Sequence, residues 1–269
     1  MDSLLNFFHY GFVLRGLTAG LIIALVAPLI GMFLVLRRYS LIADTLSHVA
    51  FAGVALGVLL GINPVVTTIG TTLLSSVVID RLRSNRRLSG DAALSLFLSG
   101  SLAVAVVMIS LNRGFGVNLT NYLFGSIVTV TQADVITIAV LGLIVAVVVL
   151  LLLKELVAIS FDEEVAKVGG IPVVQLNTIF IILTALTISL AIPILGILLI
   201  SALIVIPVLG ALQYRRGFVT TLLIAEGISV ASVVIGILAS FVFNIASGGS
   251  IVLAALGLFF LSLWVNQRK

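Results

Sequence analysis

The sequence predicts an all-α integral membrane protein, a polytopic bundle of about nine membrane-spanning helices with eight as the alternative count. Three observations carry this. Of 269 residues, 61% are hydrophobic and only 9% charged, against about 45–50% and 25% in an average soluble domain. The mean hydropathy is +1.38. The apolar stretches reach the ~20 residues a helix needs to cross a bilayer, about twice what a barrel strand needs.

Taken in order, the candidate spans are 11–36, 41–61, 64–79, 91–111, 133–153, 172–192, 195–212, 218–243 and 251–265. The third is short, and only Ile192-Pro193-Ile194 separates the sixth from the seventh. The first is too long for a signal-peptide core and lacks a basic amino-terminal flank, so it reads as retained. Lys and Arg favour the cytoplasmic side. With Arg37 and Arg38 inside, alternation over nine spans also places Arg81, Arg83, Arg86, Arg87, Lys154, Lys167, Arg215, Arg216, Arg268 and Lys269 inside. That is twelve of the fourteen basic residues, with Arg15 and Arg113 left outside. The amino terminus is then expected outside and the carboxyl terminus inside. No domain boundary is visible, so 1–269 reads as a single transmembrane domain. The polar stretches 81–91 and 112–121 are loops too short for a soluble catalytic unit.

Several chemistries are excluded by composition. The chain has no Cys, hence no disulfide, iron–sulfur cluster or thiolate zinc site. Three Met are too few for a copper(I) path. There is no G-x-x-x-x-G-K-[ST] phosphate loop, no H-E-x-x-H and no G-x-S-x-G. The chain reads as a pathway or relay in the membrane rather than an enzyme, and nothing in it suits nucleic acid.

Ionisable groups at membrane depth are costly unless paired or hydrated, so each asks for an explanation. Asp80, Asp91 and Asp134 lie at span ends, where solvated helix termini account for them. Asp44, His48 and Glu226 do not. Asp44 and His48 are four apart, which stacks them on one helix face. A carboxylate and an imidazole on one face form half of a divalent-metal site. His48 is ten residues past Arg38 and Glu226 ten past Arg216, so both lie about 15 Å from the inner boundary, near the midplane. Metal ligation is one reading; a buried pair that holds helices together is the other.

A cytoplasmic segment, Phe161-Asp162-Glu163-Glu164-Val165-Ala166-Lys167-Val168-Gly169, reads as a short helix within about 160–170. Ser160 or Asp162 caps it, acids fill its first turn, Lys167 its last, and Gly169-Gly170 stops it. Phe161, Val165 and Val168 form an apolar i, i+4, i+7 stripe suited to a partner's groove. Its acids disfavour anionic lipid, which points to a protein partner.

These segments resemble one family. Arg37-Arg38-Tyr39-Ser40-Leu41-Ile42-Ala43-Asp44-Thr45-Leu46-Ser47-His48 is similar to the R-R-x-S-L-x-G-D-A-L-S-H stretch of permease subunits of bacterial metal-ion ABC importers, the ABC type-3 family that serves zinc and manganese uptake. Tyr122–Ile127 resembles its Y-L-F-G segment, Phe161–Pro172 its coupling segment, Leu195–Pro207 its V-G-I-L-L-V-x-A-L-L-I-I-P run, and Ser247–Leu253 its S-G-x-x-I-V-L. The resemblance covers nearly the whole chain. It implies a type II ABC importer permease fold and a homodimer in the bacterial cytoplasmic membrane. Partners would be cytoplasmic ABC ATPase subunits on the coupling helix, an extracytoplasmic metal-binding protein, and lipid. Asp44 and His48 match the family's membrane ligands, and Glu226 is carried over with less distinctive surroundings. The coupling segment assigns Phe161, Asp162, Glu163, Glu164, Val165, Lys167, Val168 and Gly169 to partner binding. No permanent cofactor is implied. The expected cargo is zinc, with manganese or iron as the alternative, and a proton-coupled secondary transporter is the rival mechanism. Departures are Ala43 and Thr45 for the usual Gly and Ala, and Val208-Leu209-Gly210 for A-A-T.

Overall fold

A computed structural model describes residues 10–84, 90–111 and 119–267. The expectations placed on Arg86, Arg87, Arg113, Arg268 and Lys269 fall outside those residues. The elements are α1 (Gly11–Leu36), α2 (Ser40–Leu60), α3 (Pro64–Ser84), α4 (Gly90–Leu111), α5 (Leu119–Phe124), a 3-10 turn (Ile127–Thr129), α6 (Gln132–Leu151), α7 (Leu153–Phe161), α8 (Glu163–Val168), α9 (Val173–Leu195), α10 (Ile200–Leu212), α11 (Phe218–Phe243) and α12 (Ser247–Gln267). Among the described residues eight helices are long and apolar enough to span a bilayer: α1, α2, α3, α4, α6, α9, α11 and α12.

The nine-span count is corrected at α10. Its 13 residues rise about 20 Å, short of a hydrocarbon core of about 30 Å. The chain does return, however. Gly20 of α1 faces Ile194 at the end of α9, and Gly31 of α1 faces the carbonyl of Ile204 in α10. α10 thus runs toward the Arg37 end of α1. There Phe218, just past Arg215 and Arg216, packs on Phe33 with centroids 5.5 Å apart. A helix too short to span by itself thus brings the chain back to the Arg37 end of α1. Arg37, Arg83 and Lys167 line one cavity, so these three basic groups share one face, called the basic face below.

The α9–α10 corner starts about 14 Å along α1 from Gly11, by the rise per residue. Irregular backbone at that depth must be satisfied by protein. The Ile197 N–H donates to the Tyr122 carbonyl (2.9 Å) and the Leu198 N–H to the Leu123 carbonyl (3.2 Å). The Ser126 N–H donates to the Pro193 carbonyl (3.2 Å), and the Ser247 hydroxyl to the Ile194 carbonyl (3.0 Å). The short α5 exists to present these acceptors.

α1 and α9 form the centre, most of their length buried, while α4 and α6 lie at the periphery, largely unburied within the chain. Gly31 lets the α1 backbone approach that of α10, since any Cβ there would strike the Ile204 carbonyl. Close approach through small residues is how helices associate where the hydrophobic effect is absent. Phe33 fills the adjacent space, edge-on to Phe180 at 5.9 Å.

Candidate functional site

α2 carries Asp44 and His48. It packs on α3, α4, α9 and α10, which bury more than half of it. From Leu41 to Gly57 the open residues form one stripe: Leu41, Asp44, His48, Ala52 and Leu56. The spacing of three or four residues per step is that of a single helical face, as the sequence predicts. The rest of the segment points inward. Ser47 bonds back to the Ala43 carbonyl (2.7 Å), and Thr45, fully buried, reaches the Leu94 carbonyl of α4 (3.5 Å). The family departures at Ala43 and Thr45 therefore lie on the packing side of α2, away from Asp44 and His48. Val208 and Gly210 are likewise buried, Gly210 against Ile228 and Phe259.

His48 Nδ1 is buried and has no hydrogen-bond partner among the described residues. An orphaned buried ring nitrogen is uncommon and costs the desolvation of that atom. Asp44, one turn away, places a carboxylate on the same stripe.

Glu226 is not brought to them. No group of three His, Asp or Glu residues able to hold a metal occurs among the described residues. Glu226 sits half-buried on α11, which packs on α1, α10 and α12. α10 and α1 stand between it and α2. Counting from the flanking charges gives a residue's expected depth but not the angular position of its helix.

On the basic face α8 is a six-residue helix, shorter than the expected 160–170. Residues through Phe161 belong to α7, where the Ser160 hydroxyl bonds the Leu156 carbonyl (2.7 Å). Asp162 is the cap: its Oδ1 accepts from the Glu164 and Val165 N–H groups, both at 3.0 Å. The apolar stripe projects outward, with Phe161 76%, Val165 67% and Val168 89% exposed. Only Ala166 is buried, packed with Ile159, Val173 and Leu176. These three side chains take no part in the core of this chain.

Two cavities mark the ends of the bundle. On the basic face, about 440 Å³ is lined by Arg37, Tyr39, Asp80, Arg83, Glu163 and Asn177, among others. On the opposite face, about 500 Å³ is lined by Asn63, Tyr122, Thr131 and Asp134, among others. Asp134 closes a capping box with Thr131, whose backbone N–H it accepts at 2.9 Å. Burial, and then the Asp134 charge, push the Tyr122 hydroxyl above its ordinary range. Of these cavity residues, sequence reasoning passed over Asn63, Thr131 and Asn177, uncharged polar groups whose only signal was their place near span ends.

A family model described as the ABC 3 transport family matches residues 9–266. The high-affinity zinc uptake system membrane protein ZnuB of Haemophilus influenzae is 33% identical over 252 residues, covering 94% of this chain and 97% of that protein. The manganese import system permease protein ScaB of Streptococcus gordonii is 31% identical over 265 residues, covering 98% and 94%. PsaBC from Streptococcus pneumoniae, solved in complex with Fab, superposes with a TM-score of 0.87 at 28% identity, covering 97% of this chain and 94% of that one.

Proposed function

We propose that this chain, which belongs to the ABC 3 transport family, is the membrane-spanning permease subunit of an ATP-driven divalent-metal importer. ATP hydrolysis belongs to separate partner subunits that dock on α8, and an extracytoplasmic binding protein delivers the ion. Two copies pair so that the open stripes of α2 face a shared path. One copy offers only Asp44 and His48, fewer ligands than a first-row divalent ion takes. Two copies offer two carboxylates and two imidazoles. The single observation that carries the reading is the unpartnered, buried His48 Nδ1 one turn from Asp44.

Manganese is the first reading for the cargo. Carboxylates suit manganese, and no thiolate is available to favour a softer ion; the relative named for manganese import is matched over 98% of this chain. Zinc is the second, favoured by the imidazole and by the relative named for zinc uptake. The ion moves inward by alternating access. ATP binding in the partner displaces α8, and the α2 stripes open to one side and then the other.

The test is uptake of manganese and zinc into vesicles holding this chain with its co-purifying ATPase and binding protein. Wild type should take up metal only with ATP, and Asp44→Ala and His48→Ala should each abolish uptake without loss of assembly. Uptake that survives both substitutions overturns the assignment of the ligands. Uptake driven by a proton gradient without ATP overturns the mechanism.

A further inference from the structure

We infer that Arg37 is a positioning residue that passes displacement of α8 to α2, the helix bearing Asp44 and His48. The inference rests on the importer reading and extends it to how the two ends of the machine are joined.

Arg37 closes α1 two residues before Tyr39, and α2 begins at Ser40. Its side chain is 4% exposed and leaves its own elbow. Nη2 donates to Asn177 Oδ1 of α9 at 2.6 Å and stands 3.9 Å from Glu163 Oε2 of α8. The guanidinium also lies over the Tyr39 ring (4.8 Å) and near the Phe180 ring (5.7 Å). Arg83 of α3 stacks on Tyr39 at 4.1 Å. One planar group therefore touches the end of α1, the start of α2, α8 and α9. A second tie runs parallel to it: the Thr178 hydroxyl of α9 donates to Asp80 of α3 at 2.5 Å.

The surroundings explain why an arginine is used. Its fork makes several contacts in fixed relative directions, which a lysine cannot. Burial pulls the guanidinium below its ordinary range, partly offset by Tyr39 and Glu163, and the nearby Arg83 lowers it further. A buried cation in that state depends on its partners, and removing one leaves it uncompensated. α8 has little else holding it from the protein side. Ala166 is its one buried residue, and the Gly169-Gly170 link, with Gly170 at φ +84°, leads to α9. A partner that grips Phe161, Val165 and Val168 and shifts α8 thus moves Glu163 against Arg37. α2 then answers as a rigid rod, with His48 about 12 Å along its axis from Ser40.

The test is the number of metal ions taken up per ATP hydrolysed in the reconstituted complex. Arg37→Gln and Asn177→Ala should each lower that ratio about tenfold, the scale of one lost hydrogen bond to a charged group, with the ATPase still bound and hydrolysing. Arg37→Lys should fall between, and Arg38→Gln, at the exposed neighbour, should match wild type. A purely structural role would lower yield and leave the ratio intact. If Arg37→Gln fails to assemble, Asn177→Ala decides, since it leaves both α8 and the arginine in place. A wild-type ratio in the variants that assemble overturns the inference alone. Absence of ATP-driven uptake in wild type overturns the importer reading beneath it.

Discussion

Gly196→Ala tests the buried α9–α10 corner. Gly196 has φ +77° and ψ 162°, a region open essentially to glycine alone and costing about 1–3 kcal/mol for other residues. A methyl group there would also strike the Gly125 nitrogen and the Leu123 carbonyl. Both are backbone atoms that cannot swing aside. Relief must pull the corner off α5, at the expense of the Ile197–Tyr122 and Leu198–Leu123 hydrogen bonds, each worth about 0.5–1.5 kcal/mol net. The sum is about 2–6 kcal/mol. Gly170→Ala supplies the comparison: φ is +84°, but nothing lies within 4 Å of the added carbon, so only the left-handed strain of about 1–2 kcal/mol applies. The assay is thermal inactivation of the detergent-purified chain, followed by fluorescence-detected size exclusion. Gly196→Ala should lower the midpoint by several degrees more than Gly170→Ala, at about 2–4 °C per kcal/mol for a chain of this size. Equal shifts would refute the steric argument, and no shift in either would refute the strain argument as well.

Asp162→Ala should remove the two cap hydrogen bonds of α8 and about 1 kcal/mol, raising amide exchange at Glu164 and Val165 about fivefold in hydrogen-exchange mass spectrometry. Unchanged exchange would mean that the cap does not hold this helix. Val168→Glu should cut ATPase co-purification in a pull-down while leaving the chain's thermal midpoint unchanged, because Val168 is 89% exposed. Full retention of the ATPase would remove α8 as its dock. Gly31→Val should fail to yield folded protein by size exclusion, since the Ile204 carbonyl occupies the space of its Cβ; normal yield would contradict the α1–α10 contact.

Much of the fold was legible because apolar length is a strong signal in a membrane chain. The spans 11–36 and 218–243 coincide with α1 and α11, both bounded by polar or charged residues. α3 continues to Ser84, beyond the expected end at 79, because Asp80 finds Thr178 and Arg81 and Arg83 suit a helix carboxyl end. The α9–α10 corner was hidden. Its turn is held by carbonyls of Tyr122 and Leu123, some seventy residues earlier, and no local pattern announces that. α5 is too short to show a period. Within the candidate site, the i, i+4 spacing of Asp44 and His48 was visible and their shared stripe followed. Glu226 matched them in depth only, and depth says nothing about which helices are neighbours. The Arg37–Asn177 contact joins residues 140 apart and is beyond any reading of spacing.

The most direct test of the central claim looks at the ion itself. Mn(II) is paramagnetic and serves as a probe whichever cargo is physiological. The complete complex, trapped with ATP and vanadate and loaded with Mn(II), should show nitrogen hyperfine coupling by pulsed electron paramagnetic resonance. That coupling should vanish in His48→Ala while Glu226→Ala keeps it. Nitrogen coupling that persists in His48→Ala, or bound manganese with no nitrogen ligand in wild type, would contradict a path that runs past Asp44 and His48.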